Sequence, residues 1–174
     1  MRRLSSLVLL ALLTLAGVGC GQQNSAQTQD KVWTTGKDGI RFRVETVVSG
    51  LEVPWAFAWL PNGDMLVTER KGRVRVIEKG MLRAEPVFTV PDVEPTGESG
   101  LMDITLHPDF PRNNYVYLSY SYNSDGKQVK VVRYVYRNSK FTEDKIIVDH
   151  VPGAPNHSGM RCRFGPDEIG RAHV

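Results

Sequence analysis

The sequence predicts an all-β protein built from repeated antiparallel meanders. Three observations point there. Short stretches alternate apolar and polar residues with a period of two, as in Ile40-Arg-Phe-Arg-Val-Glu-Thr-Val47 and Arg73-Val-Arg-Val-Ile77. Sixteen Gly and ten Pro are scattered along the chain and punctuate those stretches with turns. A third feature is an internal echo of Pro-Asn/Asp motifs, at Pro61-Asn62, Pro108-Asp109 and Pro166-Asp167. With 174 residues, 41% hydrophobic and 24% charged, the composition is that of a globular chain. The formal charge of +3 is too small to argue for nucleic acid. Part of it sits at the termini, and the near-neutral body suits neutral substrates as well as charged ones.

In chain order, Met1-Arg2-Arg3 is a basic start, and Leu4–Leu15 is an apolar run too short to span a bilayer. Small residues and Cys20 follow, so residues 1–20 read as an export signal, with lipidation of Cys20 expected as in a bacterial lipoprotein. Gly17 stands where such a lipidation motif prefers Leu, and plain secretion with cleavage nearby is the alternative. Residues 21–39 open with the polar stretch GQQNSAQTQD and read as a tether. The expected location is the periplasm or the outer membrane, with membrane contact only through the lipid. If Cys20 carries lipid, Cys162 stands alone, and a disulfide framework is not expected.

From residue 40 to 167 the chain reads as strands. Ala56–Leu60 and Met65–Thr68 are buried runs around the hairpin signal Pro61-Asn-Gly63. Lys71-Gly72 and Glu78-Lys-Gly80 turn the chain again. Lys127–Tyr136 alternates charged and aliphatic residues and reads as an outer strand. Leu60-Pro61-Asn-Gly before Met65-Leu-Val-Thr is echoed by His107-Pro108-Asp-Phe before Tyr115-Val-Tyr-Leu-Ser, and again by Gly165-Pro166-Asp167. These prolines recur 47 and 58 residues apart. Propeller blades repeat every ~40–50 residues as four-stranded meanders, and one blade buries too little to fold alone. Polar residues on the loops at one end of such blades become functional candidates.

Three stretches carry a resemblance to a known family: VVSGLEVPWAFAWLPNGDMLVTERKGRVRVI, GESGLMDITLHPDFPRNNYVYLSYS and NHSGMRCRFGPD. Their order and spacing resemble the soluble aldose and glucose dehydrogenases that use pyrroloquinoline quinone (PQQ). The resemblance implies the leading blades of a six-bladed β-propeller, an incomplete ring. It also implies oxidation of aldoses to lactones by hydride transfer to PQQ, with calcium bridging PQQ to the protein. Partners would be a sugar and an electron acceptor.

His157 is the expected catalytic residue. Removing an O–H proton as hydride leaves carbon suits an imidazole, whose pKa lies near neutrality. The family motif H-x-G-G-R, whose His is the general base, reads here His157-Ser-Gly-Met-Arg161, so Met160 replaces a glycine and would crowd the loop if that glycine needs a positive φ. Asn156 precedes the base and is expected to face the substrate hydroxyls, and Glu98 matches a loop position that in the family is a polar residue lining the sugar and cofactor pocket. Gly159 and Arg161 read as structural members of the motif. Asp103 is expected to cap a turn, His107 to be a structural turn residue, and Glu69-Arg70 to form a strand-end ion pair. Trp55 and Trp59 read as packing residues. No Cys/His spacing of the metal-binding kind is present, so the metal ligands are left unassigned, with the PQQ and calcium ligands expected past residue 167. Two other readings of the scaffold are a non-catalytic propeller that binds sugars or proteins, and a lactonase-type propeller hydrolase.

Ile169–Val174, IGRAHV, equals one reading frame of a common short-read sequencing adapter, so residues 168–174 are expected to be non-native. The polypeptide as given is expected to lack dehydrogenase activity. The sugar, the acceptor and the oligomeric state are not legible in the sequence.

Overall fold

The structure is a computed structural model, which describes residues 32–167 and 170–173. The export signal, Cys20 and most of the tether lie outside the described residues. The chain divides into two units at Glu45/Thr46. In the first, β1 (Val32–Thr34) pairs antiparallel with β2 (Arg41–Arg43), so the alternating stretch from Ile40 yields only three residues of strand.

The second unit holds the meanders. β3 (Pro54–Trp59), β4 (Met65–Glu69) and β5 (Arg73–Glu78) pair in sequence order. Two short segments, β6 (Met81–Leu82) and β7 (Phe88–Thr89), both pair with β5 and complete the first blade. The second blade is β8 (Leu101–Leu106), β9 (Tyr115–Asn123), β10 (Lys127–Arg137) and β11 (Lys140–Pro152), in the order β11-β10-β9-β8. One turn of helix, α1 (Phe110–Asn113), links β8 to β9. β10 is therefore an inner neighbour and β11 the outer strand, which corrects the sequence expectation. Buried Val129, Val131, Val132 and Tyr134 line β10, because each of its faces meets a core.

β12 (Arg161–Phe164) and β13 (Gly170–His173) form a two-stranded ladder, with Phe164 opposite Gly170 and Cys162 opposite Ala172. This pairing uses main-chain groups that any sequence carries, so it bears neither way on the origin of the last residues.

Period-two burial explains the stacking. Leu66 on β4 packs into the core between the blades with Val74, Val76, Leu101, Ile104, Leu118 and Tyr120. Its neighbours Met65 and Val67 point to the opposite face, with Ile77 and the partly buried Val48 and Leu51. A third cluster, Met102, Val129, Val131, Met160 and Cys162, joins the second blade to β12. Trp55 is half-buried against two of these clusters, whereas Trp59 stands 58% exposed in edge contact with Phe57. Trp59 is thus not a core residue among the described residues.

Both inner strands carry a register break at their starts, β3 between Pro54 and Ala56 and β8 between Leu101 and Ile104. Side chains supply the bonds that the ladder loses there. The Thr68 hydroxyl accepts the Ala56 N–H at 3.1 Å and donates to the Met102 carbonyl at 2.6 Å. The Ser119 hydroxyl accepts the Asp103 N–H at 3.0 Å. One hydroxyl thereby bridges the bulged strands of adjacent blades.

Candidate functional site

The segments that precede β8 and β12 meet at one end of the blades. The Glu98 N–H donates to the Pro155 carbonyl at 2.9 Å, and Glu98 Oε2 accepts the His157 N–H at 2.9 Å. Glu98 precedes His157 by 59 residues in sequence, yet these two hydrogen bonds hold the two loops side by side. The side chains of Glu98, Asn156 and His157 are exposed at this edge. His157 adopts a left-handed backbone, φ 62°, so its loop turns sharply there.

Glycines make the approach feasible. Gly97 has φ +61°, and a Cβ on it would collide with the Pro155 carbonyl and lie 2.6 Å from Asn156 Oδ1. Gly100 has φ +152°, and a Cβ there would strike the Arg70 carbonyl oxygen. That oxygen accepts the Leu101 N–H at 2.9 Å, and the Arg70 guanidinium reaches the Gly97 carbonyl. The loop carrying Glu98 is thus seated on the first blade through Arg70.

This corrects the expected Glu69–Arg70 ion pair. Successive strand residues point to opposite faces. Glu69 is fully buried and pairs instead with Arg73 at 2.7 Å and Arg75 at 3.3 Å. It also accepts the Glu52 N–H at 2.6 Å.

Met160 does not crowd the loop. It is 1% exposed and fills the apolar cluster between the second blade and β12. A Cβ on Gly159 would meet nothing within 4 Å apart from its chain neighbours, and Gly159 does not adopt a positive φ. Asp103 lies inside β8, 1% exposed, and so cannot cap a turn. Its Oδ2 accepts the Cys162 N–H at 2.7 Å and an Arg163 N–H at 2.9 Å. The guanidinium that answers this buried carboxylate belongs to Arg163, while Arg161 is exposed. Burial first, and then the Asp103 charge, pushes the Cys162 thiol up to about 11, which keeps it protonated and unreactive at neutral pH.

His107 is held as a turn residue. Its Nδ1 accepts the Asp109 N–H at 3.0 Å and lies 2.9 Å from Asn113 Nδ2, and its ring packs against Tyr115, Tyr117 and Phe164. Among the described residues no group of three or more His, Cys, Asp or Glu side chains is placed to hold a metal ion. None of their helices is long and apolar enough to cross a membrane.

Four-stranded meanders stacked face to face, with their inter-blade loops gathered at one end, define the β-propeller class. Comparison with known proteins narrows this. The family model "Glucose / Sorbosone dehydrogenase" matches residues 51–169. An uncharacterized protein of Synechocystis is 34% identical over 163 residues, covering 87% of this chain and 40% of that protein. The aldose sugar dehydrogenase YliI of Escherichia coli is 38% identical over 128 residues, covering 70% of this chain and 34% of the enzyme. The PQQ-bound aldose sugar dehydrogenase of Streptomyces coelicolor superposes with a TM-score of 0.66 at 32% identity, over 73% of this chain and 39% of that one. The chain belongs to the glucose/sorbosone dehydrogenase family, and it spans about two fifths or less of the length of these relatives.

Proposed function

We propose that the complete gene product is an exported PQQ-dependent dehydrogenase that oxidises the anomeric hydroxyl of an aldose to a lactone, with His157 as general base. The observation that carries this reading is the pairing of the Glu98 and His157 loops, in a chain of a sugar-dehydrogenase family. The His157 imidazole takes the hydroxyl proton as the C–H bond breaks. Glu98 orients the base through its backbone N–H. Glu98 and Asn156 are exposed at the same edge, and a carboxylate and an amide suit the neighbouring hydroxyls of a neutral sugar.

PQQ, when bound, supplies the hydride acceptor. The described residues fit the proton-handling side of that chemistry. No calcium ligand is assigned among the described residues, where no three His, Cys, Asp or Glu side chains gather. The reading includes export through residues 1–20, with lipid on Cys20, and delivery of the electrons to a separate acceptor.

The test is His157→Ala in the complete gene product, assayed with PQQ, calcium, an aldose and a dye acceptor. Loss of a positioned base is expected to lower kcat by about 10²- to 10⁴-fold. Turnover equal to the parent would remove His157 from the mechanism.

A further inference from the structure

We infer that Asp103 is a positioning residue for the catalytic loop, setting His157 by clamping the main chain of Cys162; this rests on the reading of His157 as the base. Asp103 and Thr105 lie two apart on β8, on one face of the strand. They grip both polar groups of a single residue on the next inner strand. Asp103 Oδ2 accepts the Cys162 N–H at 2.7 Å, and the Thr105 hydroxyl donates to the Cys162 carbonyl at 2.7 Å. Arg163 braces the pair, with N–H groups at 2.9 Å from Asp103 Oδ2 and 3.0 Å from Thr105 Oγ1. The two side chains do for β12 what a neighbouring strand would otherwise do.

The clamp sits in register with the functional edge. Glu98 holds the N–H of His157, and Asp103, five residues on, holds the N–H of Cys162, also five residues on. Between these ties Met160 is buried against Met102. The loop from His157 to Cys162 therefore has three anchors on one segment, residues 98–103, and little freedom to swing. Asp103 itself hangs on a bulge, because its N–H goes to Ser119 rather than to the β9 ladder.

The carboxylate is expensive where it stands. Its second oxygen, Oδ1, is buried and has no hydrogen-bond partner among the described residues. A buried polar atom without a partner is destabilising, and such groups are concentrated where function requires them. A single hydrogen-bond acceptor would have sufficed to cap one N–H.

The experiment uses the complete gene product with four variants: Asp103→Ala, Asp103→Asn, Thr105→Val and His157→Ala. Asp103→Ala is expected to lower kcat by about 10- to 100-fold with KM little changed, the effect of a base displaced by about 1 Å. Amide exchange at Cys162 accelerates in the same variant. Asp103→Asn keeps an oxygen for the Cys162 N–H and is expected to restore slow exchange and most of the lost kcat. Full kcat in Asp103→Ala alongside fast Cys162 exchange would overturn the inference. So would an Asn variant as inactive as the Ala variant while its Cys162 amide stays protected. Should Asp103→Ala fail to fold, Thr105→Val removes the other half of the clamp at constant shape, and undiminished kcat there overturns the inference too. His157→Ala separates the two readings. If it retains turnover, the base assignment has failed; if it is inactive while the Asp103 and Thr105 variants are not, the positioning role alone has failed.

Discussion

Thr68→Val tests how the two blades are joined. Thr68 is fully buried on β4, and its hydroxyl serves two main-chain groups left over by bulges: the Ala56 N–H at 3.1 Å and the Met102 carbonyl at 2.6 Å. Valine has nearly the same shape, so packing is kept and the hydroxyl alone is lost. Stranding a buried donor or acceptor costs about 1–3 kcal/mol, so two of them cost about 2–6 kcal/mol. For a chain of this size that lowers Tm by roughly 4–24 °C at ~2–4 °C per kcal/mol. Thr68→Ser is the control, because it keeps the hydroxyl and loses one methyl group, worth about 1 kcal/mol. Urea denaturation of the three proteins gives the order: parent, then Ser, then Val least stable. If packing dominated at this site, the order of the variants would reverse. A Val variant as stable as the Ser variant, or more so, would refute the bridging role of the hydroxyl.

Two further outcomes follow from the site. Gly97→Ala places a methyl group against the Pro155 carbonyl at a φ of +61°, and is expected to cost at least about 1–2 kcal/mol and to speed amide exchange at His157 as the two loops part; an unchanged denaturation midpoint with a protected His157 amide would contradict the close approach. Met160→Gly, which installs the glycine of the family motif, is expected to destabilise by about 3–5 kcal/mol by emptying the Met102–Cys162 cluster, and chemical denaturation with a neutral result would show that the side chain is not a core residue.

Much of the fold was legible because its signals are local. Short apolar runs located β3 and β4, alternation located β5, and Pro61-Asn-Gly63 and Lys71-Gly72 marked the turns between them. The recurrence of the Pro-Asn/Asp motif announced stacked blades, and three quoted stretches named the family. The same stretches singled out Glu98, Asn156 and His157, whose backbones the structure brings together across a long sequence gap.

What the residues on their own could not decide was which faces would meet. Asp103 looks like a turn-forming residue until the bulge in β8 buries it against β12. Met160 looks like an intruder in a glycine motif until the second blade supplies apolar neighbours that bury it. Glu69 looks paired with its neighbour Arg70 until strand alternation sends the two side chains to opposite faces. Arg161 and Arg163 are two residues apart in one motif, and only the position of β8 selects Arg163 for the buried carboxylate. Period-two patterning states that a strand has two faces, and turn chemistry states where it ends. The partner of each face is set by blade stacking across about 60 residues of sequence, and there the tertiary structure alone decides.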